Sequence, residues 1–177
     1  MLKLLLKDTD LEKIISYGFR GEALASIAAV AKVEMTTRTT ENAAGTHIVV
    51  EGGRLISKSE IGCAVGTSII VRNLFYNVPA RFKFLKSDAT ETGYISGVLE
   101  KAALGNPDSS FVFINSDKTV FNTPGDGDLK SCILRIYGQE VVSNLQEIYN
   151  ELDGISVKGF IGKVGYYRSN RNSEIFF

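Results

Sequence analysis

The spacing of apolar residues changes near position 32, and this change restricts the chain to a mixed α/β fold. Over residues 20–31 the apolar side chains recur three or four positions apart, which is the period of an amphipathic helix. Over residues 32–38 they alternate with polar side chains, and the residue types favour a strand. A helix followed at once by a strand is typical of domains that pack helices against a sheet.

Two adjacent glycines predict the next turn of the chain. Gly52-Gly53 separates strand-like runs at 46–51 and 54–57, and both glycines can adopt a positive φ, which favours a tight hairpin. A further strand is predicted at 66–74. Its centre, residues 69–71, is apolar on both faces and is therefore expected to be buried.

The remaining predicted elements are both helices and strands. The predicted helices are a short one capped near Asp8, one at 81–85 entered through a capping Asn77 and Pro79, one at 90–104, and one at 129–137 ended by Gly138. The predicted strands are a hairpin of 110–114 with 119–121 and single strands at 145–149, 155–163 and 174–177.

Residues 123–128 concentrate turn-forming residues and contain no apolar side chain apart from proline. We therefore predict a linker here, with one domain in residues 1–122 and the start of a second in residues 126–177. The last predicted strand, 174–177, reaches the end of the chain without a turn. This leads us to expect an internal piece of a longer protein.

Charge and cysteine content argue against several classes of protein. Twenty basic residues balance twenty acidic ones, so there is no global attraction to nucleic acid or to membranes. Cys63 and Cys132 lack metal-binding spacing and are predicted to be reduced, mostly buried thiols. No run approaches the roughly 20 apolar residues of a membrane span, and the short apolar start lacks the features of a signal peptide. We therefore predict a cytoplasmic protein with no membrane partner.

The segment Gly-Phe-Arg-Gly-Glu-Ala-Leu at residues 18–24 suits an anionic ligand. Its glycines let the backbone approach a phosphate, Arg20 can donate charge-assisted hydrogen bonds, and the following helix adds partial positive charge at its N-terminus. The spacing leaves a second interpretation open, because a Gly-x-x-Gly turn before a helix is usually structural. Glu22 has a similar alternative, since an acid at a helix start offsets the helix dipole.

This segment resembles a motif of the MutL family of DNA mismatch-repair proteins, and a second segment strengthens the resemblance. Residues 66–85 are similar to the family pattern GTxxxVxxLFxNxPARxKFL. The two motifs occur in the family's order and at its spacing. The similarity covers most of residues 8–122 and continues more weakly to the end of the chain.

The resemblance implies an ATPase of the GHKL type. Residues 1–122 would be the C-terminal part of an α/β sandwich with a mostly antiparallel or mixed sheet, and residues 126–177 the start of a ribosomal-protein-S5-like transducer domain. Such proteins bind ATP with Mg²⁺, form homodimers through their N-terminal regions, and couple mismatch recognition by a MutS-type protein to repair of DNA. They are cytoplasmic and nucleoid-associated in bacteria and nuclear in eukaryotes. The implied nucleotide-binding residues are Gly18, Arg20, Gly21, Glu22, Ala23, Leu24 and Thr67.

The resemblance also implies which groups lie outside these motifs. The family's catalytic Glu, its Mg²⁺-binding Asn and the Asp-x-Gly-x-Gly turn that binds adenine all precede the segment matching residues 18–24, and no such constellation precedes Gly18. The family's phosphate-contacting Lys would fall beyond Phe177. Phosphoryl transfer needs metal and positioning groups together. We therefore predict no catalytic residue or metal ligand in this chain, and no ATP hydrolysis by the chain alone.

A non-enzymatic module that binds DNA or a protein partner is the alternative. The basic residues Arg81, Lys83 and Lys86 interleave with Phe82 and Phe84. This pattern is found on nucleic-acid surfaces and also on amphipathic helices with a solvated basic face. A second basic group lies near the C-terminus: Lys158, Lys163, Arg168 and Arg171. His47, the only histidine, has no evident catalytic partner in the sequence and is predicted to be a structural strand residue.

Overall fold

The computed structural model describes residues 22–167 and 173–177. The chain divides into two compact units, residues 1–85 and residues 86–177. Several predictions fall outside the described residues: the helix near Asp8, the site residues Gly18, Arg20 and Gly21, and the basic residues Arg168 and Arg171. No helix in the described part is long and apolar enough to cross a membrane.

In its described part, the first unit consists of a helix, a four-stranded antiparallel sheet and a short second helix. The elements are α1 (Ala23–Val30), β1 (Lys32–Arg38), β2 (Gly45–Glu51), β3 (Arg54–Ile61), β4 (Gly66–Arg72) and α2 (Pro79–Phe82). The strand order is β3-β2-β1-β4, which makes β1 and β2 the central strands. The mixed α/β prediction is confirmed, and so is the change from helix to strand at residue 32.

The predicted hairpin between β2 and β3 is confirmed. Gly52 and Gly53 form its turn with φ angles of 54° and 81°, a conformation that costs glycine little because it has no Cβ. The register shifts between Val49 and Val50, which marks a β-bulge in this hairpin. Strand β4 returns to pair with β1, so segments separated by the whole hairpin lie side by side.

The prediction that the centre of β4 is buried is wrong. Ile69, Ile70 and Val71 are 41%, 39% and 43% exposed. Strand β4 lies at an edge of the sheet, with β1 as its hydrogen-bonded neighbour. An edge strand meets fewer side chains than a central one, so the apolar run here reflects strand propensity rather than burial.

Helix α2 begins at Pro79 and ends at Phe82, so it starts in the predicted entry segment and overlaps the helix predicted at 81–85 only at Arg81 and Phe82. Proline is favoured at the first helical position because it has no N–H to leave unpaired. The prediction that Asn77 caps this helix is wrong. Val78 precedes the helix, and no side chain in the described part of the chain caps it. Asn77 instead donates a hydrogen bond from Nδ2 to the carbonyl of Ala29 at 2.9 Å.

In its described part, the second unit contains two long helices and two hairpins. The elements are α3 (Asp88–Gly105), β5 (Val112–Asn115), β6 (Lys118–Asn122), α4 (Leu129–Ser143), β7 (Leu145–Leu152) and β8 (Ile155–Gly162). The core is formed by Leu104, Cys132 and Ile133. Burial raises the pKa of the Cys132 thiol above its usual value. Both cysteines are free, as predicted, although Cys63 is only half-buried.

Helix α4 begins and is interrupted where the sequence predicts. The Asp128 carboxylate accepts hydrogen bonds from the Lys130 N–H and the Ser131 hydroxyl, both at 2.9 Å. These bonds, the Ser131 bond most strongly, hold the pKa of Asp128 below its usual value. Gly138, with a φ of 84°, leaves the helical conformation, and a further helical turn continues to Ser143.

The strand predicted at 174–177 is not formed. Ile175 packs against the core instead. The Phe177 ring lies so close to Gly105 that a Cβ on this glycine would be 2.7 Å from the ring. Contact of these apolar side chains with the helical core replaces the strand pairing that their sequence pattern favours.

The predicted linker is part of the packed structure. Thr123 is fully buried. Its Oγ1 accepts a hydrogen bond from the Phe111 N–H at 2.9 Å, and its carbonyl accepts one from the Ser110 hydroxyl at 2.7 Å. The two compact units divide after Leu85, and residues 123–128 lie within the second unit. The assignment of residues 1–122 and 126–177 to two domains stays a prediction.

Candidate functional site

Residues 22–24, the described part of the segment predicted to bind an anion, form the start of α1. Glu22 precedes the helix, and its carbonyl accepts a hydrogen bond from the Ser26 N–H at 2.8 Å. Ala23 and Leu24 are the first two helical residues, and Leu24 is exposed. No side chain within residues 22–167 or 173–177 caps this end. A helix start with uncapped N–H groups favours an anionic ligand, because those groups and the helix dipole both carry positive charge.

The opposite end of α1 is held by four hydrogen bonds from outside the helix. The carbonyls of residues 28–31 accept, in order, from the Gly53 N–H at 2.8 Å, the Asn77 Nδ2 at 2.9 Å, the Phe75 N–H at 2.7 Å and the Gly52 N–H at 3.2 Å. The last carbonyls of a helix have no partner within the helix. Here the β2–β3 turn and the segment after β4 supply those partners.

Thr67, the site residue predicted in the second motif, shares a hydrogen bond with Thr37. The two residues face each other across the β1–β4 pair, and their Oγ1 atoms are 2.7 Å apart at an exposed position. One hydroxyl donates and the other accepts. The accepting hydroxyl therefore keeps its own proton, which it can donate to an oxygen of a ligand.

A cluster of charged side chains lies on the sheet. The Glu34 carboxylate binds His47 Nε2 at 3.1 Å and Arg72 Nη1 at 3.0 Å. The hydrogen bond to His47, followed by that to Arg72, holds the pKa of Glu34 below its usual value. No group of three or more His, Cys, Asp or Glu in the described part of the chain could hold a metal ion. This geometry gives His47 a hydrogen-bond partner on the sheet, which the sequence did not reveal.

The two predicted basic groups differ in their surroundings. Phe82 and Phe84 are 58% and 78% exposed beside the exposed Arg81 and Lys83. In the second unit, Lys163 Nζ donates to the Ser143 carbonyl at 2.7 Å. This cation stabilises the C-terminal end of α4, where the helix dipole is negative.

Sequence patterns did not reveal that Thr37 bonds to the predicted site residue Thr67, or that Asn77 bonds to α1. Thr37 is one of several polar residues in an alternating strand, and its pairing with Thr67 depends on how two distant strands align. Asn77 precedes a proline and a helix, which favours the capping role that the structure does not show. A correct β1–β4 register would have identified Thr37. No local signal identifies the bond from Asn77 to Ala29.

Comparison with known proteins shows which family the chain belongs to. No family model matches the chain. The DNA mismatch repair protein MutL of Agathobacter rectalis is 51% identical over 168 residues, which are 95% of this chain and 26% of that protein. The MutL of Thermoanaerobacter pseudethanolicus is 45% identical over 170 residues, which are 96% of this chain and 28% of that protein. This chain belongs to the MutL family.

A solved structure supports the MutL assignment. The Aquifex aeolicus MutL ATPase domain complexed with ADP superposes with a TM-score of 0.71 at 29% identity, over 89% of this chain and 60% of that one. The chain spans about a quarter of the length of the curated MutL relatives it matches, 26% for the Agathobacter rectalis protein. Its fold is therefore that of a MutL ATPase segment, with mixed helices and antiparallel sheets.

Proposed function

We propose that this chain supplies a phosphate-contacting part of the ATP site in a MutL protein. The whole protein would bind ATP with Mg²⁺, hydrolyse it, and couple recognition of mismatched DNA by a MutS-type protein to repair. It would act in the cytoplasm as a homodimer joined through its N-terminal region. The observation that carries the proposal is the 51% identity to a DNA mismatch repair protein along 95% of the chain. The match to an ADP-bound MutL domain supports a nucleotide as the ligand.

The proposed nucleotide contacts come from two places in the sequence. They are Gly18, Arg20, Gly21, Glu22, Ala23 and Leu24 at the entry to α1, and Thr67 at the start of β4. The uncapped start of α1 in the described residues supports the first group, since a phosphate there would accept from free N–H groups. The Thr37–Thr67 hydroxyl pair supports the second, since it retains a proton for donation.

The second part of the chain is proposed to begin a transducer domain with a ribosomal-protein-S5-like fold. Residues 126–177 would start this domain, and residues 1–122 would end the ATPase sandwich. The support is the resemblance of the chain to the MutL family, whose ATPase domain is followed by a transducer.

Titration with a fluorescent ATP analogue tests the proposed site. Arg20→Ala should weaken binding by about tenfold or more, since a hydrogen bond to a charged group contributes roughly 1.5–3 kcal/mol. Gly21→Asp should abolish binding, because it adds a side chain and a negative charge beside the phosphates. Arg54→Ala is the matched control, since it removes one positive charge from the exposed start of β3, outside the motif.

Two results would count against the proposal. Equal affinity for the unaltered chain and Arg20→Ala would contradict the site, and failure of the unaltered chain to bind would contradict nucleotide binding by this segment. The exposed Phe82 and Phe84 beside Arg81 and Lys83 favour a second candidate, a module that binds single-stranded DNA through stacking and phosphate contacts. Salt-sensitive oligonucleotide binding without nucleotide binding would support that candidate.

A further inference from the structure

The carbonyl end of α1 is bonded to two separate loops. The turn formed by Gly52 and Gly53 supplies two of its four donors, and the segment that follows β4 supplies Phe75 and Asn77. Three of these donors are backbone N–H groups, which no substitution other than proline removes. Asn77 contributes the one side-chain donor among the four.

The backbone that carries Asn77 adopts an uncommon conformation. Asn73 and Phe75 have φ angles of 54° and 64°, in the left-handed region that is unfavourable for a residue as bulky as phenylalanine. This turn brings the Phe75 N–H within 2.7 Å of the Val30 carbonyl. Strained backbone of this kind persists where surrounding contacts hold it in place. The Asn77 bond to Ala29 is one such contact.

We propose that Asn77 is a positioning residue for the proposed nucleotide contacts at residues 22–24, acting through α1. This inference rests on the proposed function. Helix α1 has eight residues and spans about 12 Å, so it behaves as a short rigid rod. Fixing its carbonyl end fixes where its N-terminal end presents Glu22, Ala23 and Leu24. A ligand site keeps its affinity only when its groups are held within roughly 0.5 Å of the productive geometry.

Asn77→Asp is the most informative variant, because it keeps the shape of the side chain and removes the N–H donor. At neutral pH its carboxylate would face the Ala29 carbonyl, and the negative end of the helix dipole would repel it. We expect affinity for the fluorescent ATP analogue to fall about threefold to thirtyfold. Near pH 4, the usual range for an Asp carboxyl, the protonated group can donate to Ala29, so the affinity relative to the unaltered chain should recover.

Two comparison variants and one condition separate positioning from stability. Asn77→Ala should lose affinity at neutral pH without recovering in acid. Asn42→Asp adds the same charge at an exposed loop position of the same unit and should bind normally. All titrations are run well below each variant's unfolding temperature, where the folded fraction is close to one. A loss of stability alone then leaves the dissociation constant unchanged.

Amide hydrogen exchange of α1 in the same samples gives a readout that does not depend on nucleotide. Faster exchange at residues 26–30 in Asn77→Asp, reversed in acid after correction for the intrinsic rate, is the expected result. Unchanged exchange together with unchanged affinity would overturn the role of Asn77. Absence of nucleotide binding by the unaltered chain would overturn the proposed function, while the exchange rates would still decide whether Asn77 holds α1.

Discussion

Tyr137 lies on α4 and is 40% exposed, and its hydroxyl end is shielded beside Glu100 of α3, to which it hydrogen-bonds. Glu100 also accepts a hydrogen bond from the Ser96 hydroxyl at 2.7 Å. Burial, followed by the nearby Glu100 charge, raises the pKa of Tyr137 to about 12. The folded state therefore keeps this phenol protonated at a pH where the unfolded chain would release the proton.

The stability of the second unit should consequently fall in alkali. The pKa of Tyr137 is higher in the folded state than the usual tyrosine value of about 10. The stabilisation from this difference is therefore complete below about pH 10 and is lost as the pH rises through about 12. In Tyr137→Phe, this loss of stability between pH 10 and about 12 should be absent. Urea unfolding across this range, with tyrosinate absorbance as a second signal, measures it. The exposed Tyr94→Phe on α3 is the control, and an equal alkaline slope in Tyr137→Phe and the unaltered chain would contradict the assignment.

At the residue scale, the sequence predicted those parts of the proposed site that depend on local motifs. Glycine freedom and a helix start made residues 18–24 suitable for an anion, and the resemblance assigned both this segment and Thr67 to nucleotide binding. The partners of these residues were not predicted. Thr37 and Asn77 act through hydrogen bonds to residues far away in the sequence, and residue type alone does not specify such a partner.

Helices α3 and α4 contain two glycines that test the local backbone in opposite directions. Gly97 lies inside α3, and Gly138 interrupts α4 with a φ of 84°. At both positions a Cβ added by substitution would have open space around it, with nothing within 4 Å. Gly97→Ala should raise the free energy of unfolding by about 0.5–1 kcal/mol. Gly138→Ala should lower it by about 1–3 kcal/mol, since φ 84° with ψ 173° is a conformation that is essentially restricted to glycine.

Urea unfolding of the two alanine variants measures this difference. Because space is open at both positions, opposite signs would assign the effect to the backbone alone. A shift in the same direction for both variants would show that Gly138 can adopt an ordinary helical conformation and that α4 can continue through it.

At the element scale, β4 shows that an apolar run predicts a strand but not whether that strand is buried. Three consecutive apolar residues at 69–71 predicted a buried strand, whereas β4 is an exposed edge. Strand propensity is a property of the segment, but burial depends on which neighbours the fold provides. The strand itself was therefore predicted correctly and its surroundings were not.

At the scale of the whole molecule, exposed apolar surface predicts self-association. Leu152, Ile155, Val157 and Ile161 occupy one face of the β7–β8 hairpin by their register, and they are 69%, 72%, 55% and 50% exposed. Monomeric proteins rarely expose a contiguous apolar patch of more than a few hundred Å². We expect the mass measured by light scattering to rise above 19.3 kDa with concentration.

Charged substitutions on this face should reverse the association. The double variant Leu152→Lys with Ile155→Lys should return the mass toward 19.3 kDa. Glu147→Lys changes the net charge by the same amount on the opposite face of the same strand and should have less effect. A uniform monomer of the unaltered chain at every concentration would contradict the prediction.

The sequence by itself determined the order of helices and strands, the positions of the Gly52-Gly53 and Gly138 breaks, and the resemblance to the MutL family. These depend on backbone sterics and short motifs, which act within a few residues. The tertiary structure decided the β1–β4 register, the exposure of β4, the packing of residues 123–128 and the bond from Asn77 to α1. Many alignments satisfy the same alternation of apolar residues, so only the simultaneous packing of distant segments selects one of them.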